Sequence, residues 1–243
     1  MNWPMNATRN PILCAIDLAD PNQAKTLVRT LKGAVGGIKL GLEFFTANGP
    51  RAVKDTAQGL PLFLDLKLHD IPNTVAGAVK AAASLEPLLL TVHCAGGAAM
   101  MKAASEAAKQ AGRGKPMKLL GVTVLTSLDE RDLEATGQKG PVAEQVKRLA
   151  LLAKESGLDG IVCSPQEVAE LRQALGPEFL LVVPGIRIGS LSHGDQKRVM
   201  GPKDAMASGA DYLVIGRPIT GSPSPAAAAR SMLAEIGPEI RRS

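Results

Sequence analysis

Aromatic side chains are nearly missing from this sequence. Its 243 residues include one tryptophan, one tyrosine and four phenylalanines, 2% of the chain. The core must therefore be built from Leu, Val, Ile and Ala, and the 45% hydrophobic content supplies them. The same scarcity argues against a binder of single-stranded nucleic acid, which stacks bases on aromatic faces. Cysteine is scarce too. Cys14, Cys94 and Cys163 are odd in number, widely spaced and without a C-x-x-C pair. They read as buried free thiols suited to a reducing cytoplasm. Long apolar runs are lacking: the longest uncharged stretch, 87–101, holds His93 and a Gly-Gly pair and falls short of a membrane span. The opening MNWPMNATRNP has no charged segment followed by an apolar one, so no signal peptide is expected. Charge is not clustered either. The net charge of +5 is dispersed, with no basic run longer than Arg241–Arg242. A dispersed excess reads as a solvated surface that also draws in small anions, not as an RNA-binding patch. His69, His93 and His193 are not spaced as a metal cluster.

What the sequence does have is alternation. Short aliphatic runs at 12–17, 36–40, 61–67, 88–93, 119–125, 160–164, 180–184 and 212–216 read as strands covered on both faces. Segments with helical spacing lie between them. PNQAKTLVRTLKG carries Pro21 near its start and Gly33 at its end. EQVKRLALLAKESG stops at Gly157, and SPQEVAELRQALG offers Ser164 as N-cap with Glu167 three residues on. SPSPAAAARSMLAEIG closes the series. GRGKP (112–116) and GQKGP (137–141) read as loops. Eight strand–helix units imply right-handed crossovers and a parallel sheet, and eight units in this length fit an α/β fold of the (β/α)8 barrel type. One domain over 1–243 is expected, with 1–10 as an N-terminal extension. An open doubly wound sheet is the alternative, but no G-x-G-x-x-G opens the first helix.

In such barrels chemistry sits at the C-terminal ends of the strands. Those ends carry Asp17, Lys39, and Asp65 with Lys67 on three consecutive strands. Asp65 and Lys67 are two apart and so share a face. Buried ion pairs are weak stabilisers, so a set with alternating sign at the rim points to chemistry. A lysine held between carboxylates is a positioned ammonium and a candidate general acid. Asp70 follows in the loop. On the other half of the rim, VPGIRIG (183–189) and IGRPITGS (215–222) follow strands 7 and 8, where these barrels commonly bind phosphate. Gly216 admits an anion close to backbone, Arg217 offers a fork of donors, and SPSP opens the last helix at its positive end.

The blocks DLKLHDIPNT (65–74), VPGIR, GDQKR and DYLVIGRPIT, in this order from Asp17 to Thr220, resemble bacterial orotidine 5′-phosphate decarboxylases. The resemblance implies a homodimeric (β/α)8 barrel that turns orotidine 5′-monophosphate into uridine 5′-monophosphate and CO2, with no metal or organic cofactor. By motif position, Asp17 and Lys39 correspond to ribose and charge-network contacts. Asp65 corresponds to the carboxylate facing the substrate carboxylate, and Lys67 to the proton donor to C6. Asp70, Ile71 and Thr74 correspond to residues reaching into the partner's site. Thr126, with Ser127 beside it, lies where the pyrimidine is contacted. Pro184 and Arg187 belong to the loop region after strand 7. Gln196, Gly216 and Arg217 match phosphate contacts. RVMGP departs from the pattern: Gly201 stands where threonine is expected in many relatives.

His69 alternates away from Lys67 and reads as a packing or dimer contact. His93 ends strand 4, and His193 lies in the loop after strand 7. Two other readings remain. One is a related sugar-phosphate barrel, a metal-dependent decarboxylase or an aldolase, against which Lys39 stands where an acidic magnesium ligand is expected. The other is a non-enzymatic nucleotide-binding or RNA-binding barrel.

Overall fold

Eight parallel strands close on themselves in sequence order, each followed by helix. The computed structural model describes residues 10–111, 117–138, 140–187 and 200–237. The strands are β1 (Ile12–Ala15), β2 (Gly37–Gly41), β3 (Leu62–Leu68), β4 (Leu89–His93), β5 (Lys118–Val122), β6 (Gly160–Val162), β7 (Leu180–Val183) and β8 (Tyr212–Ile215). The helices are α1 (Pro21–Leu31), α2 (Leu42–Ala57), α3 (Pro72–Ala82), α4 (Gly97–Ala111), α5 (Glu130–Ala135), α6 (Val142–Glu155), α7 (Val168–Leu175), α8 (Pro202–Ala207), α9 (Arg217–Thr220) and α10 (Pro225–Ile236). This is the (β/α)8 barrel that the alternation implies. Among the described residues, no helix is long and apolar enough to cross a membrane.

Local chemistry explains the elements. Helix α1 starts where the Asp20 carboxylate accepts from the N–H groups of Asn22 (2.7 Å) and Gln23 (3.2 Å), with Pro21 in its first turn. Its buried residues Ala24, Val28 and Leu31 recur at helical spacing. Before α7, the Glu167 carboxylate accepts from the Ser164 N–H at 2.8 Å, as the S-x-x-E spacing anticipates. Helix α2 is broken at Gly49, which has φ 71° and precedes Pro50.

Strand alternation separates two apolar layers. Leu13, Ala15, Phe63, Leu89, Leu120, Val182, Tyr212 and Val214 fill the inside of the barrel. Their neighbours, among them Ile12, Cys14, Ile38, Leu40, Leu64 and Leu90, pack outward against the helices. Gly37 lets this packing close, since a Cβ there would lie 2.6 Å from the Pro61 carbonyl oxygen and 2.9 Å from Leu13 Cδ2.

Three apolar runs extend beyond their ladders. β1, β5 and β6 end at Ala15, Val122 and Val162, two to three residues before the hydrophobic runs do. Residues such as Ile16, Thr123, Val124 and Cys163 stay buried after leaving the strand. Burial, which the sequence pattern reports, outlasts hydrogen-bonded pairing at the barrel mouth. At the opposite end Arg172 ties the barrel shut: its guanidinium donates to the carbonyls of Gly176, Phe179 and Gly209 and lies 2.6 Å from the Asp211 carboxylate. Asp211 also accepts from the Leu181 N–H at 2.8 Å, so β7 and β8 are clamped away from the mouth.

Candidate active site

The inward-facing parity that makes the lower barrel apolar becomes charged at the mouth. On β1 it runs Leu13, Ala15 and then Asp17. Lys39 on β2 is in register with Ala15 on one side and Phe63 on the other, and Asp65 follows Phe63 by two. The four charges expected to converge do so. Lys67 Nζ lies 2.8 Å from Asp65 Oδ2, Lys39 Nζ lies 3.8 Å from the same oxygen, and Lys39 Nζ lies 3.3 Å from Asp17 Oδ1. Lys39 and Asp65 are mostly covered, whereas Asp17 is largely exposed.

The route by which Lys67 reaches Asp65 differs from simple alternation. The β3–β4 register shifts between Leu64 and Leu68: Leu64 pairs with Leu90 and Leu68 with Val92. Two extra residues of β3 are absorbed there, and Lys67 takes a left-handed backbone with φ 49°. A non-glycine residue held there costs about 1–3 kcal/mol and persists only when its surroundings impose it. The imposing group is Thr91, fully buried on β4. Its hydroxyl accepts from the Lys67 N–H at 2.8 Å and donates to Asp65 Oδ1 at 2.9 Å. Thr91 is not among the residues that the sequence singles out. The one available signal was its parity with Leu89, which turns it inward next to the strand carrying Asp65.

These charges edge a cavity of about 320 Å3 at the C-terminal mouth. Phe63, Val122, Val162 and Val214 give it apolar wall, and Thr126 and Pro184 also border it. Arg187, Gly216 and Arg217 line its far rim. Gly216 caps the short helix α9. A flat apolar ring fits the walls, and an anion fits the arginine rim. A fixed ammonium between them suits chemistry that builds negative charge on a ring atom.

Not every expected residue reaches this cavity. Asp70, Ile71 and Thr74 do not line it; they are exposed at the start of α3, Ile71 by 67%. Asp70 Oδ1 accepts from the Ile71 N–H at 2.6 Å. Ser127 is exposed beside Thr126 and does not line it either. Gln196 and His193 lie outside the described residues. His69 and His93 stack with ring centroids 5.2 Å apart and line no part of the cavity. His93 Nδ1 accepts from the Ala95 N–H at 3.3 Å. Burial pushes the His93 ring below its ordinary 6.5, and the nearby His69 and Lys67 charges act in the same direction.

The family model described as "Orotidine 5'-phosphate decarboxylase / HUMPS family" matches residues 10–232. The chain is 56% identical over 234 residues to the orotidine 5′-phosphate decarboxylase of Rhodospirillum rubrum, covering 94% of this chain and 95% of that one. It is 52% identical over 232 residues to the enzyme of that name from Paramagnetospirillum magneticum, covering 94% and 99%. Among solved structures it resembles the orotidine 5′-phosphate decarboxylase of Lactobacillus acidophilus, with a TM-score of 0.85 and 38% identity over 94% of this chain and 99% of that one.

Proposed function

We propose a function on the premise that this chain belongs to the orotidine 5′-phosphate decarboxylase / HUMPS family. It converts orotidine 5′-monophosphate to uridine 5′-monophosphate and CO2 in pyrimidine biosynthesis. The observation that carries this reading is the Lys67 ammonium, 2.8 Å from the Asp65 carboxylate at the edge of a partly apolar cavity.

The reaction breaks the bond between C6 and the carboxylate carbon. The electron pair stays on C6, CO2 departs, and C6 takes a proton. The ring has no ready sink for that pair, so a charge fixed in advance has the largest effect. Lys67 supplies it and then donates the proton from Nζ to C6. Asp65 holds Lys67 and places negative charge near the departing carboxylate, a repulsion relieved when CO2 leaves. Lys39 bridges Asp65 and Asp17, and Asp17 and Lys39 hold the ribose hydroxyls. Thr126 and Ser127 contact the pyrimidine. Arg217, Gly216 and Gln196 bind the phosphate with Arg187 beside them, and Pro184 shapes the same rim. Binding energy from this remote phosphate positions the ring over Lys67.

The active form is a homodimer. Asp70, Ile71 and Thr74, exposed on their own subunit, reach the partner's cavity and complete it. No cofactor is required, neither nucleic acid nor membrane is a partner, and the buried thiols support a cytoplasmic setting.

The alternative reading is a metal-dependent sugar-phosphate barrel. Lys39 argues against it, because a divalent ion beside Asp17 and Asp65 faces an ammonium within 3.3–3.8 Å of both carboxylates. Purified protein is expected to shift the ultraviolet band of orotidylate to that of uridylate, with release of CO2, in buffer containing EDTA, at the rate seen without it. Activity lost to the chelator and restored by magnesium, or no CO2 release at all, would contradict the proposal.

A further inference from the structure

The structure assigns Thr91 as a positioning residue that sets the conformation of Lys67 and the orientation of Asp65 through one hydroxyl. The inference rests on the decarboxylase reading for its kinetic consequence, but its geometric content stands apart from it.

Three non-glycine residues among those described have positive φ: Gln58, Glu86 and Lys67. Gln58 and Glu86 sit at helix C-caps, where a left-handed residue is ordinary. Lys67 sits inside a strand, where nothing local favours it. The register shift leaves the Lys67 N–H without a β4 carbonyl in line, and Thr91 Oγ1 accepts it instead at 2.8 Å. A hydroxyl that accepts from an amide has its proton free for another acceptor, and Asp65 Oδ1 lies 2.9 Å away. The other oxygen, Asp65 Oδ2, takes Lys67 Nζ at 2.8 Å. The ring runs from the Lys67 amide to Thr91, to Asp65, and back to the Lys67 ammonium. Thr91 is the member without charge, and it is fully buried.

A β-branched residue suits this task, since its χ1 is stiff and aims the hydroxyl without further contacts. Take the hydroxyl away and two groups lose their partners together. The Lys67 amide has no acceptor to hold the bulge, and Asp65 is free to turn about χ2. Both changes move the ammonium. Neither touches the arginine rim, so affinity for the nucleotide is spared while turnover falls.

Thr91→Val and Thr91→Ser separate these effects, the first keeping shape without the hydroxyl and the second keeping the hydroxyl with less shape. In Thr91→Val, kcat for orotidylate is expected to drop about 10- to 100-fold with KM changed less than about threefold. Thr91→Ser is expected to retain kcat within about threefold of wild type. A crystal structure of Thr91→Val is expected to show Lys67 out of the left-handed region and its Nζ more than about 4 Å from Asp65. Lys67 and Asp65 unmoved in that crystal would overturn the assignment, as would equal losses in both variants, which mark lost packing rather than a lost hydroxyl. A wild-type protein inert toward orotidylate would overturn the functional reading alone; the crystallographic result then decides the positioning role. If Thr91→Val does not fold, Thr91→Ser and Thr91→Cys are compared, and a cysteine variant as active as serine overturns it.

Discussion

Cys14 and Cys94 are neutral thiols because burial forbids anything else. Burial pushes each from 9.0 up to about 12, with the Asp17 charge adding at Cys14 and Lys39 opposing. Cys163 is raised well above 9.0, again by burial first. Below about pH 9 the thiols are neutral in both folded and unfolded chains, and the full stability is present. Between about 9 and about 12 the unfolded chain releases these protons while the native state keeps them, so stability falls as pH rises through that window. The urea midpoint should be lower at pH 10 than at pH 8, and Cys94→Ala should narrow the difference. An identical drop in that variant would refute the thiol origin. At this scale the sequence was partly legible. Residue types at strand ends exposed the charged set, because charge inside a barrel mouth is expensive and conspicuous. The left-handed turn at Lys67 was hidden, since it depends on a register shift that no spacing within β3 records. Thr91 was hidden for the same reason: a threonine in a strand is unremarkable until its cross-strand partner is known.

Elements were legible where a cap or a stop marked them. Asp20–Pro21 opens α1, and Ser164–Glu167 opens the turn leading to α7. Helix α5 was missed although it carries a cap of its own: Asp129 accepts from the Arg131 and Asp132 N–H groups while Asp132 accepts from the Asp129 N–H. Six residues are too short for a periodic apolar face, and only Leu133 is buried. Helix α9 was missed because its four residues contain Pro218 and precede Gly221, a pattern shared with turns. The departure at Gly201 has an element-level meaning. It is the N-cap of α8, with an extended backbone at φ −69° and ψ 157° and no side-chain cap. A Cβ there would meet nothing closer than 3.6 Å. Gly201→Ser should therefore stabilise the protein by about 0.5 kcal/mol, through a capping hydroxyl and a less flexible unfolded chain. A higher urea midpoint with unchanged slope checks this, and a lower midpoint contradicts it.

At the scale of the whole molecule the barrel was the most legible feature. Eight aliphatic runs separated by helices allow few closed arrangements, and the observed strand order is the sequential one. The proposed homodimer rests on the resemblance. Asp70, Ile71 and Thr74 are exposed and do not line the cavity, and the proposed shared site would give them a role. Lys67→Ala and Asp70→Ala should each be inactive alone. Mixed and allowed to exchange subunits, they should recover about a quarter of wild-type activity, because half the dimers are mixed and one of their two sites is free of both lesions. No recovery, with exchange verified by mass, would place Asp70 in its own subunit's chemistry or in none.

Lys67 carries more of this account than any other residue, and its removal is the most direct test. Turnover of orotidylate by Lys67→Ala should be measured beside its affinity for uridine 5′-monophosphate. The predicted result is a loss of kcat exceeding about 10⁴-fold with product affinity nearly retained, since the ammonium acts on the charge that develops during the reaction. Turnover within about tenfold of wild type would contradict the assignment of Lys67 as proton donor and, with it, the mechanism built around the barrel mouth.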